Sequence, residues 1–62
     1  MNSIELADNQ NTQVETLEKL SNDEDYGVRY RVARNPNTSK ETLEKLSNDK
    51  NQMMKMIIFV VV

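Results

Sequence analysis

The sequence has no cysteine and no histidine, and it holds only one glycine and one proline among its 62 residues. Without cysteine and histidine the chain can form neither a disulfide bond nor one of the common zinc sites, and it lacks the commonest catalytic base and thiol nucleophile. The scarcity of glycine and proline argues against an all-β protein, because tight turns between strands rely on these residues. We therefore expect a helical protein that is not an enzyme, without catalytic, cofactor-binding or metal-binding residues.

An excess of positive charge is also missing, since eight Lys and Arg stand against ten Asp and Glu, for a net charge of −2. Nucleic-acid-binding domains usually carry a basic excess that neutralises phosphates. Arg29, Arg31 and Arg34 would have to share one helix face to form a phosphate-binding patch, but Arg29 and Arg31 lie about 160° apart on a helix. We expect these arginines to form solvated salt bridges. A nucleic-acid accessory role through them is kept as an alternative.

We expect neither a secretory signal nor a membrane-spanning helix in this sequence. Residues 1–10 contain neither a basic region nor an apolar run. Residues 53–62 form a long apolar stretch interrupted by Lys55, but as a helix they would be only about 15 Å long, half of a bilayer core. Because the lack of cysteine also fits a reducing compartment, we expect a cytoplasmic protein that is not bound to a membrane.

What the sequence does contain is an internal repeat with an offset of 26 residues. Residues 11–23 and residues 37–49 are identical at eleven of thirteen positions. The same offset aligns the residues before position 11 with the end of the first copy, so they resemble the last part of a truncated unit. We divide the single domain 1–62 into a partial repeat (1–10), a first repeat (11–36) and a second repeat (37–62).

The first helix of each repeat carries its own start signal. Thr12 and Thr38 are each followed three residues later by a glutamate, which is the spacing of a capping box. Two leucines three residues apart then follow on one helix face in each copy. The pattern predicts helices over residues 13–21 and 39–47.

A second helix is predicted over residues 25–34. The polar stretch before it interrupts the preceding helix, and either Asp23 or Asp25 can cap the new one. Pro36 ends the helix because proline disfavours helical geometry at the residue before it and donates no hydrogen bond. The acidic residues here are interpreted as capping groups, since the ligand spacing of a calcium loop is missing. We expect a structural role in turns for Asn9, Asn11, Asn35 and Asn37.

The stretch from Leu20 to Thr38 resembles the leucine-rich repeat variant, a bacterial helical repeat related in style to HEAT and armadillo arrays. The pattern of that family is matched at Leu20, Asp23, Val28, Arg29, Val32, Ala33, Asn35, Pro36 and Thr38, whereas Ser21 replaces the usual alanine. The resemblance covers about residues 6–52 and implies short helices stacked in a right-handed superhelix. An iron–sulfur cluster, which one type in the family carries on a cysteine-rich segment, is not implied here because the chain has no cysteine.

We therefore predict an all-α fold, namely a short right-handed solenoid of helix pairs with about two and a half repeats of 26 residues. The inward positions of the predicted helices give the expected core. It consists of Leu6, Leu17, Leu20, Val28, Val32, Leu43, Leu46, Met54, Ile58 and Phe59.

The C-terminal segment departs from the repeat because its outward positions are apolar as well. Arg31 of the first repeat, for example, corresponds to Ile57. We predict a helix over most of residues 52–60, with the last two or three residues extended, because valine favours strands. Three interpretations stay open: an end cap that packs on its own chain, a contact between copies made helix to helix or strand to strand, and a fragment of a longer array with no independent function.

The function that we predict is a non-catalytic protein-interaction or assembly module. Two and a half repeats are fewer than such arrays usually need, and a segment that is apolar all round needs a second cover. We expect the chain to bind itself or another protein and to use no small-molecule substrate or cofactor. The predicted interface consists of Met53, Met54, Met56, Ile57, Phe59, Val60, Val61 and Val62.

Overall fold

The computed structural model describes residues 2–61 of the chain, and the side chains of residues 2–59. Within residues 2–61 the chain forms five α-helices and no strand, so the predicted all-α class is confirmed. In chain order the helices are α1 (Ser3–Asp8), α2 (Val14–Leu20), α3 (Tyr26–Arg34), α4 (Lys40–Leu46) and α5 (Gln52–Val61).

The boundaries of α2, α3 and α4 agree with the predicted ones to within one residue at each end. The end of α5 differs from the prediction. Val60 and Val61 belong to the helix, so the expectation of an extended end is wrong for them, while Val62 lies outside the described residues. Valine has only a weak preference against helix, below about 1 kcal/mol per residue, and extending an existing helix adds one hydrogen bond for each residue fixed.

The N-caps of α2 and α4 lie one residue later than predicted. α2 begins after Gln13 and α4 begins after Ser39, whose hydroxyl accepts a hydrogen bond from the backbone N–H of Thr42. The prediction that Thr12 and Thr38 are the N-caps is therefore wrong. Both threonines precede the cap position, where a side chain no longer reaches the amides of the first helical turn.

The two threonines instead close the helix that precedes them. The hydroxyl of Thr12 donates to the carbonyl oxygen of Leu6, and the hydroxyl of Thr38 donates to the carbonyl oxygen of Val32, each over 2.6 Å. Both threonines are buried. The carbonyl oxygens of Leu6 and Val32 also accept from the backbone N–H of Asn9 and Asn35, so each hydroxyl adds a second hydrogen bond at the end of α1 or α3.

The acidic turn before α3 has the structural role predicted for it. The carboxylate of Asp25 accepts from the backbone N–H of Gly27 over 2.7 Å and caps α3. The carboxylate of Asp23 accepts from the backbone N–H of Asp25 over 2.8 Å. Asp49 makes the corresponding bond to the backbone N–H of Asn51 in the second repeat. The same turn is thus built twice.

Asparagines connect consecutive repeats as well as forming turns. The side chain of Asn35 accepts from the backbone N–H of Asn37, as predicted for a turn residue. The amide nitrogen of Asn35 also donates to the carbonyl oxygens of Ala7 and Asn9, each over 2.9 Å. Asn37 donates in the same way to the carbonyl oxygen of Thr12. Asn35 is 5% exposed, and its hydrogen bond to Ala7 is shielded from water.

The hydrophobic core takes side chains from all five helices, and α3 lies at its centre. α3 packs against each of the other four helices, most extensively against α1 and α5. Leu20 and Leu43 are half-buried against the core, and Leu6 is half-buried. The buried apolar residues are Ala7, Leu17, Val28, Val32, Ala33, Leu46, Met54 and Ile58.

Phe59 is the one predicted core residue that the structure places on the surface, with 86% of its area exposed. The prediction was made because Phe59 corresponds to Ala33 in the repeat, and Ala33 is fully buried. α5 packs on α3 and α4, and the side chain of Phe59 lies on the part of α5 that neither helix covers. No helix within residues 2–61 combines the length and hydropathy that crossing a membrane requires.

Candidate functional site

The three arginines that could have formed a phosphate-binding patch occupy different environments. Arg29 is buried, and its Nε donates to the Oδ2 of Asp49 over 2.7 Å. Its terminal nitrogens donate to the Oδ1 of Asp49 and to the carbonyl oxygens of Asp23 and Glu24. The prediction of a solvated salt bridge is therefore wrong for Arg29, because its donors are used inside the fold.

Asp49 is held in its charged form by this arrangement. The hydrogen bonds from Arg29 lower the pKa of the Asp49 carboxyl below its ordinary value of 3.8, against the opposing effect of burial. The hydrogen bond from the backbone N–H of Asn51 lowers the pKa further. A carboxylate held in this way binds a proton less readily than a free one.

Arg31 and Arg34 remain at the surface beside a polar cleft. Arg31 lies 3.5 Å from a carboxylate oxygen of Asp8, and both side chains are largely open to solvent. Arg34 donates to the hydroxyl of Tyr30 over 2.8 Å, with its guanidinium stacked over the ring of that residue. Asp8 lines the same cleft and would repel a phosphate. For the alternative of nucleic-acid binding, only Arg31 and Arg34 therefore remain available at the surface, and Asp8 lies next to them.

The strongest candidate site is an exposed apolar face on α5. Met53, Met56 and Phe59 leave 61%, 68% and 86% of their surface exposed. Single exposed apolar residues are normal in proteins, but a contiguous group of them marks a surface that contacts another molecule. Lys55 lies between them in the chain and is also exposed. We call Met53, Met56 and Phe59 the open face of α5.

The remaining residues of the predicted interface differ in their placement. Met54 is fully buried in the core and Ile57 is half-buried against it. In this fold Met54 has no surface to offer to a partner, because the 100° rotation per residue turns it towards α3 and α4. Val60 and Val61 belong to α5, but their side chains and Val62 lie outside the described part of the chain.

Two depressions lie beside each other along α5. One is shallow and is lined by Gln52, Lys55, Met56 and Phe59, whose spacing puts them on one side of a helix. The other is a groove between α4 and α5 with a volume of about 580 Å³. Lys55 and Phe59 line both depressions and therefore form the ridge between them, with Phe59 as its apolar part.

The groove between α4 and α5 has an apolar floor and a charged rim. Leu43 and Ile58 line it together with Phe59, while Lys40, Glu44 and Lys55 stand around it. Such a groove can accept an apolar side chain of another molecule, and the charges at its edge can orient that molecule. We call it the α4–α5 groove.

Catalytic or metal chemistry finds no comparable arrangement in the described part of the chain. Residues 2–61 contain no group of three acidic residues that could hold a metal ion. The features that the sequence did not reveal, the burial of Arg29 and the ridge formed by Lys55 and Phe59, both depend on contacts between residues far apart in the chain.

Comparison with known proteins identifies no significant relative of this chain. No protein-family model matches the chain, and neither the curated proteins nor the solved structures include a significant match. The proposed function therefore depends on the geometry of the molecule.

Proposed function

We propose that the protein is a non-catalytic assembly module that associates with further copies of itself through the open face of α5. The observation that carries this proposal is the exposure of Met53, Met56 and Phe59 on one short helix. α5 is a helix of ten residues whose described apolar side chains lie partly in the core and partly in solvent. Exposing the outer apolar side chains to water costs free energy, and a partner that covers them removes that cost.

The proposed scaffold is a short right-handed array of helix pairs of the leucine-rich repeat variant kind. Its support is the recurrence of the same contacts at an offset of 26 residues. The bond from Thr12 to Leu6 recurs as the bond from Thr38 to Val32, and Ser21 and Ser47 each donate to the carbonyl three residues before. In such arrays each unit buries its apolar side only against its neighbours, which favours association at an uncovered unit.

The energies involved favour a weak association. Fully burying a Met or Phe side chain contributes about 1.5–3 kcal/mol. A symmetric pair would bury Met56 and Phe59 twice, giving roughly 6–12 kcal/mol before the cost of association, which is of order 4–15 kcal/mol. Further contacts around the α4–α5 groove would add to the gain. We therefore expect a weak, reversible self-association with a dissociation constant in the micromolar to millimolar range, about −8 to −4 kcal/mol, instead of a permanent dimer.

Sedimentation equilibrium of the full chain between about 5 µM and 1 mM tests the proposal. The mass should rise with concentration for the natural chain and stay at that of one chain for the double variant Met56→Gln with Phe59→Gln. Removal of α5 would be a poor test, because Met54 and Ile58 of that helix belong to the core. Val14→Gln is a matched control, since Val14 is an exposed apolar residue on α2. A natural chain that remains single at 1 mM would refute the proposal.

A further inference from the structure

The buried residues of α1 show which side of such a helix faces the following repeat. α1 packs mainly on α3 and to a smaller extent on α2, both of which belong to the repeat after it. Ala7 of α1 is fully buried. The position of Ala7 therefore faces the following repeat.

The buried residues of α5 show the opposite side. α5 packs on α3, which belongs to the preceding repeat, and on α4, which belongs to its own. Met54 and Ile58 are the buried residues among the described side chains of α5. They occupy the repeat positions of Val28 and Val32 in α3, which are buried as well. These two positions therefore face backwards along the chain.

α3 has neighbours on both sides and combines the two patterns. Besides Val28 and Val32 it buries Arg29 and Ala33. Ala33 is the repeat counterpart of Ala7, and Arg29 reaches forward to Asp49 in the following repeat. Arg29 and Ala33 thus mark the forward side of α3.

The forward side of α5 is built differently. The counterparts of Arg29 and Ala33 in α5 are Lys55 and Phe59. At this position α1 and α3 carry alanine, which lets the next helix approach closely. Phe59 places a phenyl ring in the space that the next helix would fill, and packed helices do not accommodate such a change in volume without moving apart. A further repeat with the geometry of the others would have to move away from α5 to make room for Phe59, so this surface favours another kind of occupant.

We propose, as a refinement that rests on the self-association proposed above, that this occupant is a second copy of the chain related by a two-fold axis. Phe59 of each copy would enter the α4–α5 groove of the other, beside Leu43 and Ile58. The ridge and the groove lie next to each other on one surface, so a two-fold axis brings each ridge to the partner's groove at the same time.

The charges around the groove support pairing with an identical surface. Glu44 and Lys55 both line it, and among the residues that the structure describes neither has an oppositely charged group within 4.0 Å. In a two-fold pair Lys55 of one copy would face Glu44 of the other, and this contact would occur twice. A surface with both signs of charge beside its apolar centre complements itself, which a uniformly charged surface would not do.

The first test compares two alanine substitutions, one on α5 and one on α2, by sedimentation equilibrium of the full chain. Phe59→Ala introduces the residue found at the same position in α1 and α3, so the helix tolerates it. It should raise the dissociation constant of the pair about 30-fold or more, as truncation of a central interface residue does. Val14→Ala is the matched control, because Val14 is an exposed apolar residue that lies on α2 and not on the open face of α5. It should change the dissociation constant less than about threefold.

The second test exchanges the charges. Lys55→Glu and Glu44→Lys should each weaken self-association at low salt, because each variant places like charges opposite each other twice. An equimolar mixture of the two variants should regain the affinity of the natural chain, since both contacts in the mixed pair are then between opposite charges. Circular dichroism of each variant confirms that the fold is retained.

Each result has a defined meaning. An association that stops at two chains, depends on Phe59 and is restored by mixing supports the two-fold pair. Assemblies that grow beyond two chains, an association that is unaffected by Phe59→Ala, or a mixture that fails to recover would overturn the two-fold pair while leaving self-association intact. A natural chain that stays single at 1 mM would remove both proposals. Binding only to a different protein through Phe59 would likewise overturn the pairing of copies.

Discussion

Arg29 and Asp49 form a buried ion pair that joins α3 to the turn after α4, with 2.7 Å between Nε and Oδ2. Only 9% and 8% of the two side chains are exposed. A surface salt bridge contributes little to stability, but breaking a buried pair leaves one charge without a partner in a medium that solvates it poorly. This pair therefore ties the two repeats together.

Replacing Arg29 by alanine is expected to lower the free energy of unfolding by about 3–5 kcal/mol, which is the usual cost of removing one partner of a buried pair. The carbonyl oxygens of Asp23 and Glu24 would lose their donor in the same variant. Arg31→Ala is the control, because Arg31 lies at the surface with a longer contact to Asp8. It should cost less than about 1 kcal/mol in urea unfolding. Equal costs for the two variants would contradict the structural role of the buried pair.

The stability of the protein should fall in acid through Asp49. Its pKa is lowered in the folded state, so the unfolded state binds the proton more tightly and stability rises with pH over this range. The contribution is fully present above the ordinary pKa of 3.8 and is lost as the pH falls through the lower pKa of the folded state. Urea unfolding from pH 6 to pH 2 should show this loss. In Asp49→Asn the curve should start lower at pH 6 and be flatter below pH 4, and a variant curve parallel to that of the natural chain would refute the assignment.

Asn35→Ala should cost about 2–4 kcal/mol of stability. The substitution removes the donors to the carbonyl oxygens of Ala7 and Asn9 and leaves these acceptors without that partner at a buried position. Asn22→Ala is the matched control on an exposed turn and should change the free energy of unfolding by less than about 0.5 kcal/mol. Thermal unfolding of the two variants separates the outcomes, and a neutral Asn35→Ala would show that the link between repeats is not significant.

Thr38→Val should cost about 1–2 kcal/mol, because it keeps the shape of the side chain and removes the hydroxyl that donates to Val32. Thr38→Ser retains the hydroxyl and should recover most of that loss. The capping box suggested by the sequence makes a different prediction, since it requires Glu41 as well. Glu41 is exposed, so Glu41→Ala should change stability by less than about 0.5 kcal/mol. A large effect of Glu41→Ala would favour the capping box.

The positions of α2, α3 and α4 were predictable from the sequence because a repeat gives each signal twice, whereas α1 lies in the partial repeat, for which no helix was predicted. Pro36 marks the end of α3, and the recurring leucines mark α2 and α4 independently of any contact between helices. The caps were less predictable, because a threonine at the capping position and a threonine one residue before it give the same sequence spacing. Only the position of the hydroxyl of Thr12 beside the carbonyl of Leu6 separates the two cases.

The position of the candidate site in the chain was predictable from the sequence, but the exposure of its individual side chains was not. The unusual apolar composition of residues 53–62 pointed to α5, and three of its described apolar residues are indeed exposed. Phe59 was predicted to lie in the core because all copies of the repeat were treated as equivalent. This prediction is wrong, because the neighbouring helix that buries Ala7 and Ala33 has no counterpart over α5 among the described residues. The burial of Arg29 escaped prediction for a similar reason, since its partner lies 20 residues away.

The central proposal is that the open face of α5 holds copies of the chain together. The most direct measurement is the mass of the natural chain by sedimentation equilibrium at about 1 mM, beside Phe59→Ala under the same conditions. We expect the mass of the natural chain to rise towards twice its single-chain mass of 7.2 kDa and the variant to stay near that single mass. A mass of 7.2 kDa for both chains would contradict the account.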